Sequence, residues 1–99
     1  MAYFPFNMLK SKTRTSILRI FFDDPEKEYY LRQLEALTGY SVGNVRREVL
    51  MLEAGGLLRA RYLGKMRLYK LNTSYLLFNE VRSILRKTVE NGKLEYKKI

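Results

Sequence analysis

The stretch "LRQLEALTGYSVGNVRREVLMLEAGGLL", from Leu31 to Leu58, constrains the fold more than any other part of the chain. Leu31, Leu34 and Leu37 recur on one helical stripe, and "TGY" then breaks the pattern. Val45, Val49 and Leu52 resume it at i, i+4, i+7, the buried stripe of a second helix. Gly39 supplies the left-handed backbone that a tight turn between helices needs, and Ser41 is a good N-cap for the second helix. Gly55-Gly56 stops that helix. Its open face holds Gly43, Asn44, Arg46, Arg47 and Met51, an odd surface for an ordinary solvated helix.

The flanking segments complete a small domain. Ser11 to about Phe22 reads as a helix with Ile17, Leu18, Phe21 and Phe22 at helical spacing, ended by Asp23, Asp24 and Pro25. Lys12 and Arg14 near its start fit either a phosphate contact or plain solubilising charge. Tyr29 and Tyr30 predict a short strand or extended bridge. Downstream, Leu58, Ala60 and Tyr62 alternate with Arg59 and Arg61. Beyond Gly64, Arg67 and Tyr69 alternate with Leu68 and Lys70, the pattern of a β-hairpin over about 57–71. Asn72 to Ser74 caps a long helix from about Tyr75 to Glu90, with Leu77, Phe78, Val81, Ile84, Leu85 and Val89 on a wide apolar stripe, ended by Asn91-Gly92.

The chain therefore divides into four parts. Residues 1–10 form an aromatic arm whose Phe4, Phe6 and Met8 are expected to pack on their own domain or on a partner subunit. Residues 11–73 form the main domain, 74–91 the long helix, and 92–99 a basic, partly ordered tail. The fold class is mainly α with a small β-hairpin (α+β).

Ninety-nine residues suffice for one thin-cored domain. There are 19 Lys+Arg against 10 Asp+Glu, a net charge of +9. The pI of about 9.9 implies an acidic partner. Nucleic acid is the commonest, with an anionic membrane surface as the rival. No stretch approaches the ~18 apolar residues of a membrane span. The opening "MAYFPFNMLK" lacks a basic leading region, so the expected location is the cytoplasm. The chain has no Cys and no His, which removes disulfides, thiolate and imidazole metal sites and the usual nucleophile–base pairs. The acids are scattered, apart from Asp23-Asp24 in a turn. No cofactor, metal or catalytic residue is expected.

The order of elements is helix, short strand, helix, tight turn, helix, hairpin, helix. Two helices joined by a short Gly-containing turn make a helix-turn-helix, and the hairpin after it is a wing. The helix after the turn would enter the major groove of double-stranded DNA with its first residues on base edges. Asn44 suits adenine and Arg46 or Arg47 guanine, by paired hydrogen bonds. Gly43 lets the backbone come close, and Val42 fits a thymine methyl. The wing carries Arg59, Arg61, Lys65, Arg67 and Lys70 with no acid between them, and Lys65 and Arg67 are its best candidates for phosphate or the minor groove. Tyr62 and Tyr69 fit phosphate donation or, more readily, packing against the helices. Leu50 and Met51 have no role in this scheme beyond partial packing under the first or last helix.

The span from Ser11 to Phe78 resembles the winged helix-turn-helix domains of small prokaryotic transcriptional regulators, the broad MarR/ArsR-like group. "YYLRQLEALTGYSVGNVRREVLMLEAGGLL" carries the resemblance most specifically, and Tyr62, Tyr69, Leu71 and Asn72 fit the wing and its exit. The resemblance implies recognition-helix roles for Ser41, Val42, Gly43, Asn44, Arg46 and Arg47, and wing roles for Lys65 and Arg67, with Arg61 beside them. Without Cys or His the chain departs from metal-sensing members. It is also shorter than full-length MarR proteins and leaves little room for a ligand pocket. The implied function is a sequence-specific DNA-binding regulator, a homodimer through the C-terminal helix and N-terminal arm. A module that docks on a partner protein and a sequence-blind nucleic-acid binder remain as alternatives.

Overall fold

The computed structural model describes residues 11–97, with side chains described through residue 87. Helix α1 (Lys12–Asp23) begins where the Ser11 hydroxyl accepts the Arg14 N–H at 3.1 Å. It buries Ile17, Leu18 and Phe21 and stops at Asp24. The extended chain beyond Pro25 forms the expected bridge. Tyr29 and Tyr69 exchange backbone hydrogen bonds of 2.9 and 2.7 Å, an isolated one-residue bridge against the hairpin.

Helix α2 (Leu31–Thr38) is opened by the Tyr30 N–H, which donates to the Gln33 side chain at 3.0 Å. Gly39 closes it at φ +78°, in the left-handed region, with its N–H on the Glu35 carbonyl at 2.8 Å. Any other L residue there would be strained, although the space around it is open. Helix α3 (Val42–Ala54) comes next, with the Ser41 hydroxyl accepting from the Asn44 N–H. Its inner face is Val45, Glu48, Val49 and Leu52, all buried.

Strands β1 (Leu58–Leu63) and β2 (Met66–Leu71) pair antiparallel, Leu58 opposite Leu71 and Leu63 opposite Met66. Gly64 has φ +63° and Lys65 a negative φ, which fits a type II′ turn and matches the strands' natural twist. Asn72 fixes the root of the hairpin: its N–H donates to the Leu57 carbonyl and its side-chain amide to the Gly56 carbonyl, both at 2.8 Å. Helix α4 (Phe78–Lys97) then crosses back over the core.

One core joins these elements. Ile17, Leu18 and Phe21 of α1 meet Leu34 of α2, Val45, Val49 and Leu52 of α3, Leu58, Tyr69 and Leu71 of the hairpin, and Phe78, Val81 and Leu85 of α4. Phe21 meets Tyr29 edge-on at 5.2 Å, and Phe22 stacks on Phe78 at 5.1 Å. Each of these side chains contributes about 1.5–3 kcal/mol when fully buried.

Three expectations change. Leu37 is exposed: the eight-residue α2 is short, and only Leu34 points fully into the core. The last helix starts at Phe78, not Tyr75. Asn72 is tied to the hairpin root, so the chain runs through successive turns, Tyr75 N–H to Asn72 O and Phe78 N–H to Tyr75 O, before a helix can form. Leu76 is left in solvent by those turns. Finally, α4 passes through Asn91 and Gly92 to Lys97. One interior Gly costs a helix about 1 kcal/mol, which weakens it without ending it when Lys93, Leu94 and Glu95 follow. The proposed arm, residues 1–10, lies outside the described residues.

Candidate nucleic-acid interface

The inner face of α3 is held on the core, so its outer face is presented to solvent as a fixed stripe. Gly43, Arg46, Arg47, Leu50, Met51 and Ala54 line an open depression of about 450 Å³ along it. Ser41 and Val42 stand exposed at its start. Asn44 is half-buried, and its Oδ1 accepts from Arg47 Nη2 at 2.7 Å, which aims the guanidinium across the first two turns. A Cβ at Gly43 would meet nothing within 4 Å, so the glycine leaves an open gap there.

The buried side of α3 contains a feature the sequence did not reveal. Arg14 and Glu48 form an ion pair at 2.7 Å between α1 and α3, and the Ser11 hydroxyl donates to the other carboxylate oxygen at 3.2 Å. Arg14 Nη2 also reaches the sulfur of Met51 at 3.8 Å. Arg14 therefore holds α1 to α3 rather than a phosphate. Glu48 sits at i+3 from Val45, on the inner side of the helix.

Between α3, the start of α2 and the wing lies a second groove of about 490 Å³, lined in part by Arg32, Arg46, Leu50, Tyr62, Lys65 and Met66. Arg46 and Lys65, predicted from separate elements, face this one groove. Arg32 joins them and was missed. It falls off the apolar stripe of α2, but only tertiary packing sets that helix beside the wing.

Three of the five expected wing cations are engaged elsewhere. Arg61 makes a two-pronged contact with Glu28, Nε–Oε2 at 2.6 Å and Nη2–Oε1 at 2.7 Å. That hydrogen bonding holds the Glu28 carboxyl below its ordinary range and raises the Arg61 guanidinium above its own. Arg67 donates to Glu53 at 2.6 Å and lies over the rings of Tyr62 and Tyr69, at 5.8 and 5.4 Å from their centres. Lys70 pairs with Glu26 at 3.1 Å. Sequence alternation cannot show these partners, because the acids come from the loop before α2 and from the end of α3. Among the described residues Arg46, Arg47 and Lys65 form no ion pair. Tyr69 packs as expected, whereas Tyr62 is 68% exposed. Leu50 and Met51, expected to be at least partly packed, are 38% and 45% exposed.

No family model matches the chain, and no curated protein matches it. Solved structures do. A homodimeric winged helix-turn-helix DNA-binding domain from Mycobacterium bovis, a possible ArsR-family transcriptional regulator, aligns with a TM-score of 0.61 at 18% identity, over 91% of this chain and 76% of that one. The AntR antimony-specific transcriptional repressor aligns at 0.65 and 21% identity, over 91% and 80%. A TubR mutant of type III plasmid segregation aligns at 0.63 and 10% identity, over 94% and 92%. The chain has the winged helix-turn-helix fold, with α2 and α3 as its two helices and the β1–β2 hairpin as the wing. Among the described residues no helix is long and apolar enough to cross a membrane.

Proposed function

We propose that this protein is a cytoplasmic, sequence-specific double-stranded DNA-binding transcriptional regulator that acts as a homodimer. The observation that carries the proposal is the outer face of α3, where Arg46 and Arg47 stand without acidic partners beside Gly43, while the wing-tip Lys65 faces Arg46 across one groove. Base reading falls to Val42, Asn44, Arg46 and Arg47, with Asn44 orienting Arg47 toward a guanine edge. Ser41 caps the helix and Gly43 admits the DNA. Lys65 and Arg32 take phosphates on either side of the groove. Arg61 and Arg67 keep the wing in shape. The net charge of +9 draws the protein to the duplex.

A single winged domain covers few base pairs, and a twofold dimer would place two recognition helices about 34–36 Å apart. Helix α4, 20 residues and about 30 Å long, is the dimerisation element, and the arm of residues 1–10 contributes to the same interface. The Mycobacterium bovis neighbour is itself described as homodimeric. The test is recovery of fragments from sheared genomic DNA at about 0.15 M ionic strength, followed by sequencing. A shared palindromic motif is the expected outcome. Uniform coverage points to sequence-blind binding, and no recovery removes the proposal.

A further inference from the structure

Resting on that reading, we infer that the third turn of α3 reads thymine methyl groups, so that Leu50 and Met51 are specificity determinants of the DNA site. The outer face of α3 changes character along its length. Its first two turns present Asn44, Arg46 and Arg47; the third presents Leu50 and Met51, with Ala54 beyond. Core packing gives no reason for this, since Val45, Val49 and Leu52 are fully buried on the other side.

Isolated exposed apolar residues are ordinary on protein surfaces. These two are adjacent and share one depression of about 450 Å³ with two arginines that have no acidic partner among the described residues and the gap left by Gly43. Leu50 also borders the groove that reaches Met66 and Tyr62 on the wing. Met51 is held in place by its sulfur contact with Arg14, which is itself locked to Glu48. It is an anchored apolar contact.

The flanking charge selects the occupant. Arg46 and Arg47 favour a polyanion, and in the major groove the thymine C5-methyl is the apolar group that base pairs display. From Arg47 to Leu50 and Met51 the helix rises about 4.5–6 Å at 1.5 Å per residue, the span of one to two base pairs. Thymines are therefore expected one to two pairs along from the position read by Arg47.

The test replaces thymine by uracil, which removes only the methyl. A randomised duplex library is bound to the purified chain, once with thymidine and once with deoxyuridine. The best thymidine duplex is then remade with deoxyuridine at single positions. Each methyl lost from the Leu50–Met51 contact is expected to weaken binding about fourfold, the worth of one buried methyl-sized group. In the Leu50→Gln, Met51→Gln double variant the duplex with deoxyuridine at those positions is expected to bind like the all-thymidine duplex, with the salt slope unchanged. Because the first arm changes the DNA alone, it stands even if the variant folds poorly. Equal affinity of wild-type protein for both forms overturns the methyl reading and leaves the DNA-binding proposal intact. A difference that persists at those positions in the double variant overturns the assignment to these two residues. Failure to retain either library removes both proposals.

Discussion

The two faces of α3 lie on the same 13 residues yet answer to different constraints. Its inner face combines complete apolar burial with one closed ion pair, Arg14 to Glu48. Its outer face has cations without acids and apolar side chains without a core. The same contrast runs through the wing. Arg61, Arg67 and Lys70 each meet a glutamate, whereas Lys65 at the tip meets none. Groups with internal partners hold the fold together. Those without them remain available to another molecule, and three of them, Arg46, Arg47 and Lys65, line the depressions beside α3.

Substitutions on opposite sides of that divide should behave differently. The largest effect is expected at Glu48→Ala, which leaves the Arg14 guanidinium buried without its carboxylate. A loss of about 3–5 kcal/mol is expected in urea unfolding. Replacing both partners by apolar residues should recover much of it, and a loss from Glu48→Ala below ~1 kcal/mol would mean that the pair is not a structural tie.

Neighbouring leucines sharpen the contrast. Leu52→Ala on the inner face should cost about 2–5 kcal/mol of stability. Leu50→Ala on the outer face should cost under about 1 kcal/mol. Similar losses at both positions would break the division into two faces.

Arg47→Ala is expected to leave the melting temperature in place. It should weaken binding to the preferred duplex by about 1–3 kcal/mol and relax preference at one position, read by competition between duplexes. A uniform loss over all sequences would assign Arg47 to the backbone instead.

Lys65→Ala should weaken every duplex alike and lower the salt slope by about 1, while Arg61→Ala, whose charge is already matched by Glu28, should leave the slope unchanged.

The smallest effect concerns pH. Because Arg61 lowers the Glu28 carboxyl in the folded protein, the pair's contribution is complete above the ordinary carboxylate range and fades as pH falls through the lowered value. Comparing Glu28→Gln with wild type in acid titrations of unfolding should isolate it, and identical acid limbs would show that the exposed pair is silent.

Much of this fold was legible in the chain because its determinants are local. The stripe of Val45, Val49 and Leu52, the αL turn at Gly39, the cap at Ser41 and the Gly64 hairpin tip each follow from short-range sterics and periodicity. Even the bridge at Tyr29 could be anticipated from β propensity. Local signals failed where a distant contact decided the outcome. Asn72, tied to Gly56, delayed α4 by several residues. Arg14, read as phosphate contact or solubilising charge, became a buried strut.

The candidate site divides in the same way. From the sequence alone came the stripe of Gly43, Asn44, Arg46 and Arg47 on one open helix face, because helical phase fixes which residues share a side. Tertiary structure alone decided which cations keep their charge for a partner. Arg61 and Arg67 were indistinguishable from Lys65 along the strand, and folding brought Glu28 and Glu53 to the first two. Pairing depends on distances of a few ångströms between residues 14 and 33 positions apart, and helical or strand periodicity carries no information at that range.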